Sequence, residues 1–325
     1  MRERERESAR ERGSSVSAVA SFAPPHGVAI AASPALPLPH SPTPRLLRRA
    51  WKQKGSVIGA AVVLLVVLLA ILAPFVAPAN PYVGKTIDRL LPPVWLGGQP
   101  EFILGTDQLG RDLWARLVYG ARVSLTVGVL AVLISSGIGV LLGLLAGYYR
   151  HLVDWLISTA VNVMLTFPFV LLALAVIAVL GPSFSNLIVV LAITGWPIYT
   201  RVIRSQVLSL REREFVTAAR VLGAGDPRII FRHVFPNVVN SLVVIASLQV
   251  AQMIILESFL SFLGLGVQPP IPSWGSMLGD GRLYMFDKWW MATFPGLAIF
   301  ITTLAINLVG DGLRDLLDPY SRTNY

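Results

Sequence analysis

No charged residue occurs between Lys54 and Lys85, and residues 57–77 within that interval are apolar almost throughout. About 20 consecutive apolar residues are what a helix needs to cross the hydrocarbon core of a bilayer. Four more charge-free stretches follow, at residues 123–149, 155–200, 234–256 and 289–310. The second of these is too long for one crossing, and Gly181-Pro182-Ser183 divides it into two. The pattern predicts an all-α integral membrane protein with six transmembrane helices, whose two termini share a side.

The loops orient that topology. Arg45, Arg48, Arg49, Lys52 and Lys54 precede the first span, and Arg150 separates the second from the third. Arg201, Arg204, Arg211, Arg213, Arg220, Arg228 and Arg232 cluster between the fourth and fifth, and Arg314 and Arg322 follow the last. The opposite side holds Lys85, Arg89, Arg111, Arg116, Arg282 and Lys288. Cytoplasmic loops carry the excess of Lys and Arg, so both termini are predicted to be cytoplasmic. Trp51, Trp155, Trp289 and Trp290 lie near span ends and read as interfacial anchors.

Composition agrees. Only 14% of residues are charged against 54% hydrophobic, where a soluble domain carries about 25% charged residues. That balance excludes a disordered chain, a nucleic-acid factor and an ordinary cytosolic enzyme. The formal charge of +9 is concentrated in residues 1–54, where ten Lys and Arg face four Glu. RERERESARER and the Ser-, Ala- and Pro-rich residues after it cannot bury enough apolar surface to offset chain entropy. Residues 1–54 therefore read as a basic, disordered cytoplasmic tail. Ala77-Pro78-Ala79 looks like a signal-peptidase site, but the apolar run before it is too long and begins too late for a signal peptide. The first helix, placed at 55–78, is expected to be retained. An extracytoplasmic loop at 79–120, a five-helix core at 121–318 and a cytoplasmic end at 319–325 complete the division. The absence of cysteine excludes disulfides and thiolate metal sites.

Ser135, Gly139, Gly143 and Gly147 recur every fourth residue, which predicts close helix–helix packing. Trp196-Pro197 should kink the fourth span.

The chemistry-bearing segment is the basic loop at 208–236, LSLREREFVTAARVLGAGDPRIIFRHVFP. Phe215, Ala218, Ala219 and Leu222 fall at i, i+3, i+4 and i+7 and give one apolar face. Gly223 and Gly225 are stop signals, and Asp226-Pro227 reads as an N-cap followed by proline at the first helical position. Pro236 ends that second helix or bends it into the fifth span. A solvated loop and a DNA-binding helix-turn-helix compete with a docking element for a cytoplasmic partner. Tethering at both ends to the bilayer argues against DNA, and an exposed apolar face argues for a partner.

Thr217-Ala218-Ala219, Gly223 and Phe235-Pro236 resemble the EAA loop of bacterial ABC-transporter permeases. Thr217 stands at the family's Glu, His233 at its Ile and Phe235 at its Leu, as is familiar in the peptide branch. GTDQLGRDLWARLVYGARVSL, beginning at Gly105, and LESFLSFLGLGVQPPIPSWGSML, beginning at Leu256, resemble segments of the dipeptide, oligopeptide and nickel importers. The resemblance runs from about Trp51 to Arg322. It implies a type I ABC importer permease in a bacterial or archaeal inner or plasma membrane. It further implies that Phe215, Thr217, Ala218, Ala219, Leu222, Gly223, Asp226, Pro227 and Pro236 belong to the loop that couples to the ATPase. The implied partners are a homologous second permease, two ATP-binding subunits and an extracytoplasmic substrate-binding protein. ATP and Mg would be bound by those ATP-binding subunits, leaving this chain non-catalytic and without a cofactor. Di- and oligopeptides are the implied cargo, with nickel or glutathione as alternatives.

Gly84-Lys85-Thr86 ends like a P-loop, but Ala79 stands where the motif needs glycine. His26, His40, His151 and His233 show no metal-ligand spacing. Glu257 is the one acidic residue of the stretch 234–265 and is a candidate for the translocation path, or for an interfacial site paired with Arg or backbone amides. Pro269-Pro270-Ile271-Pro272 should run extended along the outer rim, with Trp274 beside it. An ion-coupled secondary transporter would need several intramembrane ionisable residues and repeated halves, neither of which the sequence offers.

Overall fold

A computed structural model describes residues 54–317. The basic tail, Trp51, Arg322 and the C-terminal end fall outside the described residues. The described chain is helical: α1 Lys54–Ile71, α2 Leu113–Tyr149, α3 His151–Thr166, α4 Phe169–Leu180, α5 Phe184–Leu210, α6 Glu214–Val221, α7 Phe235–Phe262, α8 Trp274–Gly281 and α9 Trp290–Leu317. α1, α2, α5, α7 and α9 are each long and apolar enough to cross a membrane.

The region 155–200 breaks twice, where the sequence shows one obvious division. α3 and α4 meet at 92°. Phe167 precedes proline, and steric conflict with the proline ring disfavours the helical region for such a residue. Phe167 accordingly takes φ −77°, ψ 129°, and α4 restarts after Pro168. The second break is the expected one. Gly181 takes φ +79°, and the Ser183 side chain caps α5 by accepting from the Asn186 amide at 3.1 Å. α5 then runs without interruption through Pro197.

Close glycine contacts establish which helices run parallel. A Cβ on Gly139 would meet Tyr199 at 2.5 Å, one on Gly143 would meet Ile203 at 2.8 Å, and one on Gly147 would meet Val207 at 2.6 Å. The partners advance together, so α2 and α5 are parallel, and the bent pair α3–α4 must supply one crossing between them. By the same reasoning Gly55 and Gly59 against Leu308 and Ala305 make α1 and α9 antiparallel. Gly128 against Ile254, with Ser124 against Glu257, makes α2 and α7 antiparallel. The result is six crossings, the expected number. The small-residue stripe packs helices, as its spacing indicated.

At its 37 residues α2 is about 55 Å long at 1.5 Å per residue, well beyond a bilayer core. Its excess length supports an outer layer. Asp112 caps it by accepting from the Trp114 and Ala115 amides at 3.3 and 3.1 Å. Asp107, Arg111 and Arg116 are buried there. Asp107 accepts from Arg111 at 2.6 Å and pairs with Arg116 at 3.0 Å, while Arg116 reaches Asp280 of α8 at 3.4 Å. Burial raises the Asp280 carboxyl above its ordinary range, against the pull of Gln108 and Arg111. The segment from Gly105 to Arg116 thus welds the outer loop, α2 and α8 together. Trp290 is buried with Leu113, Met277 and Met291, so it is a core residue rather than an interfacial anchor. Trp155 and Trp289 are exposed.

Candidate functional site

Beneath the membrane, α5 ends at Leu210 and α6 crosses before the chain returns into α7. Val216 and Ala219 are the buried side of α6, packed under Ile203, Val207, Ile229, Val234 and the end of α2. The opposite side is apolar and uncovered. Val221 is 82% and Leu222 86% exposed, and with Thr217 and Ala218 they line an open groove of about 540 Å³ edged by Glu212 and Glu214. Phe215 is also exposed. The face read from the sequence therefore splits. Ala219 turns inward, Phe215, Ala218 and Leu222 stay outside, and Val221, which the heptad-like spacing passed over, joins the exposed side.

Gly223 ends α6 with φ +80°, the left-handed conformation that favours glycine. Nothing lies within 4 Å of the position its Cβ would take, so backbone conformation alone selects glycine here. Gly225 has φ −68° and is itself the N-cap of the turn Asp226–Ile229. Asp226 is thus the first helical residue, so the turn starts one position earlier than the sequence suggested, and the Asp226 side chain does not cap it. A π-turn at Ile230–Val234 follows and leads straight into α7. Pro236 neither ends nor separates that rod. It sits in the first turn of α7, where proline's missing amide is tolerated.

The end of α2 holds this loop on both flanks. The Tyr148 hydroxyl donates to Asp226 Oδ1 at 2.7 Å. Arg150 pairs with Glu212 at 2.6 Å, and Arg211 donates to the Tyr148 carbonyl. Nothing in the sequence marks these pairs, because their members lie 62 to 78 positions apart. Arg204 with Asp154 ties α5 to α3 near the same level.

The outer-rim candidates separate. Pro269 and Pro270 are exposed and lie in a turn, joined by a cis peptide bond, rather than in an extended run. Trp274 is buried, its indole N–H donating to the Leu117 carbonyl at 2.9 Å. Glu257 is fully buried, and among the described residues it pairs with no arginine. It accepts from Ser124 at 2.8 Å, Ser261 at 2.7 Å and Ser258 at 3.3 Å. Ser124 also accepts from the Trp274 amide at 3.4 Å, so this carboxylate ties α7 to α2 and to the start of α8. Serine hydroxyls in place of arginine explain how the charge-free spans accommodate it.

Comparison with known proteins agrees with this geometry. Residues 139–323 match the family model described as binding-protein-dependent transport system inner membrane component, and residues 41–93 match the N-terminal TM domain of oligopeptide transport permease C. The di/tripeptide transport system permease protein DppC of Pseudomonas aeruginosa is 46% identical over 85% of this chain and 93% of its own length. The dipeptide transport system permease protein DppC of Escherichia coli is 46% identical over 87% and 95%. The glutathione transport system permease protein GsiD of Pectobacterium atrosepticum is 42% identical over 84% and 89%. Among solved structures, an inward-facing form of the MetNI methionine ABC transporter superposes with a TM-score of 0.51 at 19% identity, covering 63% of this chain and 98% of that one. The six-crossing bundle and these matches together make the chain a member of the binding-protein-dependent transport system inner membrane component family, a multi-pass membrane permease.

Proposed function

We propose that this chain is one of two permease subunits of an ATP-driven importer for di- and oligopeptides in a bacterial inner or plasma membrane. The observation that carries the coupling role is the uncovered face of Thr217, Ala218, Val221 and Leu222, held between two spans. Burying an exposed Val or Leu side chain is worth about 1.5–3 kcal/mol, so this face favours a partner that covers it. The acidic edge of Glu212 and Glu214 beside exposed Arg213 and Arg220 adds the polar rim expected of an interface. An ATP-binding subunit is the partner of that face. ATP and Mg belong to it, and this chain performs no hydrolysis.

Phe215, Thr217, Ala218, Ala219, Leu222, Gly223, Asp226, Pro227 and Pro236 are the coupling segment in this reading. Closure of the ATP-binding subunits shifts the docked segment, and through Tyr148 and Arg150 it moves the end of α2. A homologous permease completes the passage, and a binding protein delivers cargo on the outer side. The peptide assignment rests on the whole-length similarity to the di- and tripeptide permeases. The test is uptake of a labelled dipeptide by cells lacking this chain. Uptake should fall to background and return on complementation, whereas unchanged uptake together with lost glutathione uptake would replace the cargo.

A further inference from the structure

The 92° elbow between α3 and α4 faces α5 and α7 across a cavity of about 490 Å³. Phe167, Phe169 and Met253 give it apolar walls, interrupted by Thr194 of α5 and by Gln249 and Gln252 of α7. The two glutamines stand one turn apart near the middle of α7, so they present to one face. No charged side chain lines the cavity. Neither glutamine carboxamide has a hydrogen-bond partner among the described residues.

Two physical arguments weigh against lipid on this face. An unpaired amide transferred into an apolar medium costs roughly 1–3 kcal/mol on the protein scale, and here two are set side by side. If α3 and α4 form one crossing, the elbow puts non-helical backbone within the span, which is tolerated only where it is covered by protein or lines a water-filled cavity.

We propose that this cavity is a peptide-backbone subsite of the translocation path, in which Gln249 and Gln252 exchange hydrogen bonds with the amide groups of the passing substrate. A carboxamide offers both donor and acceptor, which matches a peptide unit in either direction. The lack of charge in the walls means that cargo side chains and termini are not selected there. The inference rests on the peptide-import reading above.

The chain contains no cysteine, so single substitutions report cleanly. In the assembled importer, Gln249→Cys and Gln252→Cys should react with a small membrane-impermeant thiosulfonate, read as a mass shift of this subunit. Leu65→Cys, on the exposed surface of α1, should not. Dipeptide supplied with binding protein and ATP should slow labelling at 249 and 252 by fivefold or more. Gln249→Leu combined with Gln252→Leu should lower dipeptide uptake at least tenfold at a wild-type membrane level of the subunit. Inert cysteines at both positions, or full uptake by the double leucine variant, would overturn the subsite. If the wild-type importer carries no dipeptide at all, the cargo reading fails instead. Labelling at 249 and 252 but not 65 would then still support the aqueous path.

Discussion

The Tyr148 hydroxyl, on the last turn of α2, donates a 2.7 Å hydrogen bond to the carboxylate of Asp226, which begins the return half of the loop between α5 and α7. With Arg150–Glu212 and the Arg211 bond to the Tyr148 carbonyl, it fastens this loop to the end of a 37-residue helix. Asp226 is exposed and can be rehydrated, whereas in the proposed coupling role water cannot replace the geometry of this contact.

Tyr148→Phe is therefore expected to cost little stability, about 1 kcal/mol for one hydrogen bond, while lowering substrate-stimulated transport about three- to tenfold. Melting temperature of the purified subunit, set beside uptake in reconstituted vesicles, separates the two effects. A parallel loss of both would assign Tyr148 to folding instead.

At Gly223 the demand is conformational, since its φ is +80° and the surrounding space is open. Asn enters the left-handed region far more readily than a β-branched residue. Gly223→Asn should retain more than half of wild-type uptake, and Gly223→Val should abolish it with membrane insertion intact. Equal activity of the two variants would show that the left-handed turn is not what matters.

Two glycines of α2 make a matched pair. A Cβ on Gly143 would lie 2.8 Å from Ile203 and 2.9 Å from the Thr200 carbonyl, whereas one on Gly137 meets nothing within 4 Å. Gly143→Ala should destabilise by about 1–3 kcal/mol through overpacking. Gly137→Ala should stabilise by roughly 0.5–1 kcal/mol through helix propensity. Thermal unfolding in detergent gives the sign of each, and a stabilising Gly143→Ala would contradict the parallel packing of α2 on α5.

Much of this molecule could be read from its residues in order. Span number, the break at Gly181, the small-residue stripe, the exposed apolar surface of α6 and the need for glycine at 223 are local properties. Each depends on hydropathy, turn chemistry or backbone freedom within one turn or one span. Tertiary structure decided the rest. Pro168 could have been one more proline within a span, and only its place beside α5 and α7 turns the break into a cavity wall. Trp290 reads as an anchor by position and becomes core because Leu113 and Met277 close over it. Glu257 reads as a path or interfacial candidate by rarity, and only the fold supplies the serines of α2 and α7 that hold its carboxylate. The tie from Tyr148 to Asp226 spans 78 positions, and no local pattern encodes it. A contact between distant segments exists only once the helices between them have chosen their neighbours.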